Sequence, residues 1–237
     1  MNLFATFNTI GTIALVLYNL SRFKEKRLLL SDMSRKGMAR FKTKAGIWVF
    51  FEIILISAVQ YYFASFFNNI VGDLVNTGSN YYGILLSGPL MVTLLCLLIK
   101  VDPLAQMDLI TPAYPLALIF VKIACFFGGC CRGVPWEHGF YNPISRGIEF
   151  PSQLLESGVA LLLFVALHLT RKKFKKGTLF PIYMMIYSAV RFFTEFTRVE
   201  PVVFLGLKTY QIICIVGIAI GAAEYFLARK FSARSEG

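Results

Sequence analysis

Apolar runs broken by short polar stretches set the pattern of this chain. Runs of 16–21 residues recur at Leu3–Leu20, Ile47–Phe67, Tyr81–Ile99, Leu109–Phe127, Leu154–Leu169, Leu179–Phe196 and Thr209–Leu227. A helix crosses a bilayer with about 20 mostly apolar residues, so the pattern predicts an all-α integral membrane protein, a bundle of about seven transmembrane helices. Aromatic pairs mark the run ends (Tyr61 and Tyr62, Tyr81 and Tyr82, Phe126 and Phe127), where amphipathic rings favour headgroup depth. The first run has neither a basic leader nor an A-x-A-like site, so it is expected to be retained. The runs leave only short connections, which predicts a single polytopic membrane domain over residues 1–237.

Composition agrees with this class. Hydrophobic residues make up 57% and charged residues 16%, against about 45–50% and about 25% in soluble domains. The net charge of +11 raises the question of nucleic acid, and its distribution answers it. Segment 21–45 holds nine Lys/Arg, segment 170–178 holds five, the tail after Leu227 holds three, and Lys100 adds one. In a seven-span arrangement these loops share one side. The positive-inside rule then places the N-terminus outside and the C-terminus in the cytoplasm. The basic excess reads as topology and attraction to anionic lipid, so no nucleic-acid partner is expected.

The connections differ in character. Segment 21–45 mixes basic and apolar residues, fitting either a helix lying on the inner leaflet or a solvated loop. Segment 128–150 is studded with Gly128, Gly129, Gly133, Pro135, Gly139, Pro143 and Gly147, which exclude a continuous helix. Pro112 and Pro115 predict a kink or unwinding in the fourth run.

Charge inside a span is costly and requires a partner or a wet cavity. In the sixth run, Tyr187, Arg191, Glu195 and Arg198 follow at steps of four, four and three, which predicts one helical face. An Arg–Glu–Arg stripe suits a phosphate, which guanidinium binds in bidentate fashion. The plainer alternative is an Arg191–Glu195 ion pair that neutralises both charges. Lys122 either snorkels to the interface or joins that cluster, and Glu156, with Gln153 one turn before it, lies at the same outer level. Glu52, Gln60, Asn8 and Asn19 are sparse polar positions suited to interhelical hydrogen bonds.

The local order of these residues resembles the prolipoprotein diacylglyceryl transferase family, in a divergent, cysteine-containing form. DLITPAYPLALIFVKIACFFGGCCRG (Asp108–Gly133) is similar to the family's signature segment, with Lys122, Gly129, Cys130, Arg132 and Gly133 at its substrate-binding positions. FPSQLLE (Phe150–Glu156) resembles its His-Pro-Ser/Thr-Gln element, and YSAVRFFTEFTR (Tyr187–Arg198) its Arg-x-x-x-Glu-x-x-Arg element. Gln211 agrees as well, and Tyr82 stands where the family carries a histidine. The resemblance runs in unbroken order over residues 78–220. It implies transfer of diacylglyceryl from phosphatidylglycerol, an anionic phospholipid, to the thiol of a lipobox cysteine in a preprotein, with release of glycerol phosphate. It also implies a multi-pass protein of the bacterial inner membrane. Arg191 and Arg198 would take the phosphate, Glu195 would orient them, and Gln153, Glu156, Tyr187 and Gln211 would line the site. Lys122 replaces the signature arginine, Cys125 its asparagine and Cys130 its glutamate; Phe150 replaces the histidine before Pro-Ser-Gln.

Cys125, Cys130 and Cys131 leave three readings open: a reactive thiol activated by Lys122 and Arg132, a disulfide, or packing against the Gly-Gly turn. No cofactor and no metal site are expected, since His138 is the one nearby imidazole. Two further functions compete with the transferase. One is a small-solute transporter, suited by Pro-broken spans and intramembrane charge; the other is a phospholipid-binding relative with another acceptor or no activity.

Overall fold

The computed structural model describes residues 3–22, 25, 81–99 and 102–236. The expected span Ile47–Phe67, the inner-leaflet helix proposed within 21–45, Glu52 and Gln60 fall largely or wholly outside the described residues. The described part is helical, with two small hairpins. In chain order the elements are α1 (Leu3–Ser21), α2 (Tyr81–Ile99), α3 (Pro103–Ile110), α4 (Ala113–Gly128), β1 (Pro135–Asn142), β2 (Gly147–Glu149), α5 (Ser152–Thr170), α6 (Leu179–Thr194), β3 (Val202–Phe204), β4 (Leu207–Lys208) and α7 (Thr209–Glu236). Short 3-10 turns follow α5 at Arg171–Lys173 and α6 at Glu195–Thr197. Among the described residues, three helical runs, Pro103–Gly128, Ser152–Lys173 and Thr209–Phe231, are long and apolar enough to cross a membrane. Within the first, the helix breaks at Thr111–Pro112, where the ring removes a backbone donor; Pro112 occupies the N-cap of α4.

The chain divides into two compact units, residues 16–110 and residues 1–15 with 111–237. In the first, α2 packs on α3 around Leu85, Val92, Cys96, Met107 and Ile110. Tyr82 lies in this unit, 1% exposed near the start of α2. Arg22 pairs with Glu25 at 2.8 Å and donates to the Leu109 carbonyl.

The second unit holds the other candidate residues. α4 packs on α5 and α6 on α7, with fewer contacts between α5 and α6. Small residues permit these approaches, as is common between membrane helices. Ala124 and Ala160 are buried, Ser157 donates to the Ile119 carbonyl at 3.2 Å, and a Cβ on Gly221 would lie 2.9 Å from Met185 Cγ. The outward faces are apolar: Leu162 on α5 is 71% exposed and Phe193 on α6 is 68% exposed. In water such faces would be an association liability; against lipid tails they cost nothing.

Past Gly128, segment 129–150 is non-helical, as expected, and residues 135–149 form an antiparallel hairpin. Tyr141 faces Ile148 and Asn142 faces Gly147. Asn142 makes the turn: its Oδ1 accepts from the Ile144 amide at 2.9 Å, and its carbonyl accepts from the Arg146 amide at 2.8 Å. This is the side-chain turn chemistry that asparagine favours. The β3–β4 turn places Leu205 and Gly206 at φ +48° and +77°, a left-handed pair suited to a two-residue hairpin.

Backbone crowding is greatest at Gly133. It bridges to Arg198, and a Cβ there would lie 1.9 Å from the Phe150 carbonyl oxygen. Gly158 in α5 has nothing within 4 Å of the equivalent position. Gly133→Ala is therefore expected to lower the thermal midpoint in detergent and the yield of monodisperse protein. Gly158→Ala is expected to leave both unchanged or improved, since alanine gains up to about 1 kcal/mol in a helix. Equal midpoints for the two variants would contradict the packing described.

Candidate functional site

Three elements converge through the backbone before any charge is considered. Ser152, opening α5, donates its hydroxyl to the Thr197 carbonyl at 2.7 Å. The Val134 amide donates to the same carbonyl at 2.9 Å, and the Val199 amide to the Arg132 carbonyl at 3.1 Å. Residues 132–134 thus bind the segment that follows α6, and Gly133 lets them come close enough to do so. At the end of α4, Gly129 adopts φ +68° and donates to the Phe126 carbonyl at 3.2 Å, closing the helix with a left-handed cap.

On this frame sits a buried ion cluster. Glu156 stands four residues after Ser152, on the same face of α5. Its Oε2 lies 2.7 Å from Lys122 Nζ of α4. Its Oε1 lies 3.2 Å from Arg198 Nη1 and 3.7 Å from Arg191 Nη1. Glu195 contacts Arg191 closely and Arg198 at 3.8 Å, while Arg198 Nη2 also reaches Glu200 at 3.4 Å. Lys208 donates to the carbonyls of Glu195 and Arg198 at 2.8 and 2.6 Å. Its cation thereby meets the carbonyls left open where α6 ends. Arg191 lies over the Tyr210 ring at 5.2 Å, a cation–π contact.

The expected ion pair between Arg191 and Glu195 is present, inside a larger network. Lys122, Arg191 and Arg198 pair with Glu156, Glu195 and Glu200, and the half-buried Lys208 is held beside them on backbone carbonyls. Glu195 is fully buried, and its Oε1 accepts no hydrogen bond among the described residues. A buried site with clustered guanidinium and ammonium donors and a carboxylate oxygen without a donor is chemically suited to an anion that also carries hydroxyl groups.

The helical-face reading of Tyr187, Arg191, Glu195 and Arg198 needs one correction. α6 ends at Thr194, Glu195–Thr197 form a 3-10 turn, and Arg198 is extended at φ −112°, ψ 150°. Arg198 enters the cluster through its bridge to Gly133, not along the helix. Tyr187 lies one turn before Arg191, buried and tilted against Tyr183 at 6.0 Å.

Other expected site residues serve the frame. Gln153 donates to the Cys130 carbonyl at 2.6 Å, fixing the signature loop to α5. Gln211 accepts from the Lys208 amide at 2.9 Å and donates to the Phe192 carbonyl at 3.5 Å, tying α7 to α6. Arg132 is not in the cluster; it pairs with Glu149 in the hairpin at 2.8 Å. Burial disfavours the Glu149 carboxylate, but hydrogen bonds from its neighbours, Arg132 and Asn142 among them, hold it below the usual carboxylate range. Tyr82 lies in the other unit.

Lys208, Ser152 and Tyr210 act at the site without having been singled out. Ser152 and Lys208 work through backbone carbonyls, for which side-chain spacing gives no signal. Tyr210 could have been found as the aromatic next to Gln211.

The three loop cysteines are free thiols. Their Sγ atoms all lie within 4.8 Å of one another, with Cys130 exposed and the other two partly covered. Hydrogen bonds from the Cys125 and Cys130 thiols hold Cys131 well below the ordinary thiol range, against its burial and with help from Lys122 and Arg198.

Glu156 is the carboxylate that touches three of the cations. Glu156→Gln leaves them in mutual repulsion, and breaking a buried pair in this way costs about 3–5 kcal/mol. A large fall in the thermal midpoint in detergent is expected, with partial recovery in Glu156→Gln/Lys122→Met, where a cation goes too. No fall, or no recovery, would mean that the charges are not coupled.

A family model for prolipoprotein diacylglyceryl transferase matches residues 1–227. The phosphatidylglycerol–prolipoprotein diacylglyceryl transferase of Clostridium tetani is 34% identical over 170 residues, 68% of this chain and 68% of that protein. The second such protein of Clostridium perfringens is 32% identical over 164 residues, 65% of this chain and 64% of its own length. That of Streptococcus uberis is 26% identical over 216 residues, 84% and 83% of the two chains. The chain thus spans about two thirds of the length of the two clostridial proteins.

Proposed function

The chain belongs to the prolipoprotein diacylglyceryl transferase family, and from that premise we propose that it moves diacylglyceryl from phosphatidylglycerol to the thiol of a lipobox cysteine in a preprotein. The observation that carries the reading is the buried cluster of Lys122, Arg191 and Arg198 around Glu156 and Glu195, with the half-buried Lys208 beside it. We assign the lipid phosphate to Arg191 and Arg198. On binding it replaces part of their contact with Glu156 and Glu195. The headgroup glycerol hydroxyls supply the donor that Glu195 Oε1 lacks.

In the reaction the acceptor thiolate attacks the diacylglycerol carbon bonded to the phosphate oxygen. A carbon–sulfur bond forms, the carbon–oxygen bond breaks, and its electron pair leaves with glycerol phosphate. Negative charge gathers on the departing phosphate, where buried cationic donors act most strongly. A free thiol is a few per cent ionised at neutral pH, and neighbouring positive charge raises that fraction. Its proton passes to water at the outer face. Electrostatic activation of this kind fits Tyr82 at the family's histidine position, because a phenol of ordinary pKa about 10 is a weak base.

The same reading keeps one membrane domain of about seven spans in the bacterial inner membrane. The N-terminus lies outside and the cysteine loop at the outer face, as charge asymmetry favours.

The test is release of glycerol phosphate from labelled phosphatidylglycerol by the purified chain, with and without a lipobox peptide. Peptide-dependent release is expected, reduced about 10²–10³-fold by Arg191→Ala and largely retained by Cys125→Ser. Absence of release with folded, lipid-loaded protein would overturn the assigned reaction and leave a lipid-binding relative.

A further inference from the structure

We propose that Cys125, Cys130 and Cys131 form a binding site for a thiophilic d10 cation such as Zn2+ or Cu+, with a ligand set distinct from the adjoining phosphate cluster. The proposal rests on geometry. Adjacent side chains in an extended chain point to opposite faces, so Cys130 and Cys131 converge only where the backbone turns sharply. The turn is present: Gly129 and Cys131 adopt φ +68° and +59°. It brings both thiols back onto Cys125 in the last turn of α4, and all three sulfurs lie within 4.8 Å of one another.

A metal centred among them fits with little movement. A Zn–S distance of about 2.3 Å places the sulfurs of a three-thiolate set about 4 Å apart. Thiolate donors select Zn2+ and Cu+ over harder cations. Cys130 is exposed, which gives the ion an entry path and leaves an open coordination position.

The surroundings support the site. Gln153 holds the Cys130 carbonyl at 2.6 Å, and Gly129 accepts a hydrogen bond from Asn142 at 3.2 Å, so the loop is fixed from both sides. Three thiolates around a divalent cation carry one net negative charge, and Lys122 and Arg198, which both act electrostatically on Cys131, compensate it. The expectation of no metal site rested on a count of imidazoles. Three thiols supply a ligand set without one, and His138 packs against Trp136 instead, ring centroids 5.8 Å apart.

The experiment uses the full chain, purified in detergent under reducing, anaerobic conditions, incubated with excess Zn2+ and desalted. One zinc per chain is expected by elemental analysis, and in parallel a sulfur-to-cadmium charge-transfer band that saturates at one Cd2+ per chain. Cys125→Ser, Cys130→Ser and Cys131→Ser should each abolish stoichiometric binding, while Cys96→Ser, at a buried thiol in α2, should retain it. Unchanged size-exclusion profiles confirm that the variants are folded. Substoichiometric zinc in the wild-type chain would overturn the proposal, as would binding that survives in the three loop variants. Loss of two titratable thiols in protein prepared without reductant, with no metal uptake after reduction, would identify a disulfide pair instead.

Discussion

The second unit depends on one bridging carboxylate. Glu156, buried on α5, holds Lys122 of α4 and the two arginines that flank the end of α6. Each of those cations, isolated at a spanning position, would cost about 2.5–3.5 kcal/mol even on the scale drawn from membrane insertion. Gathered around Glu156 and Glu195 they become affordable, and the helices that carry them are drawn together. The same arrangement gathers the cationic donors that the proposed chemistry uses. Structural cohesion and the proposed recognition of an anion rest on one electrostatic arrangement.

The backbone around the cluster explains how it keeps its geometry. Gly133, Val134 and Ser152 tie the signature loop, the start of α5 and the turn after α6 into one hydrogen-bonded knot. Arg198 is placed by that knot, and Lys208 seals the carbonyls exposed where α6 ends. The outward faces of these helices are apolar, and the cluster supplies ion pairs that link α4, α5 and the end of α6.

Much of this was legible in the sequence, for physical reasons. Apolar run length marks a helix directly: the helix Tyr81–Ile99 has the predicted bounds, and α5 at Ser152–Thr170 differs from the predicted Leu154–Leu169 by two residues at one end and one at the other. Buried charge is rare in such runs, so Lys122, Glu156, Arg191, Glu195 and Arg198 stood out, and all five meet. The end of α6 at Thr194 was not legible, because Glu-Phe-Thr carries no glycine or proline to mark it. The hairpin at 135–149 was visible only as a segment that cannot be helical. Its pairing and the Arg132–Glu149 contact depend on partners brought together by the fold. Convergence of the three thiols depends on a left-handed Cys131, a conformation that residue type alone does not announce.

The central claim, that the buried cationic cluster recognises an anionic headgroup, is tested most directly by native mass spectrometry of the intact chain. The protein is released from micelles that contain phosphatidylglycerol and phosphatidylcholine in equal amounts. The wild-type chain is expected to retain phosphatidylglycerol in preference, and Arg198→Gln and Arg191→Gln are each expected to lose that preference while remaining folded. Retention of both lipids alike by the wild type, or an unchanged preference in both variants, would contradict the account.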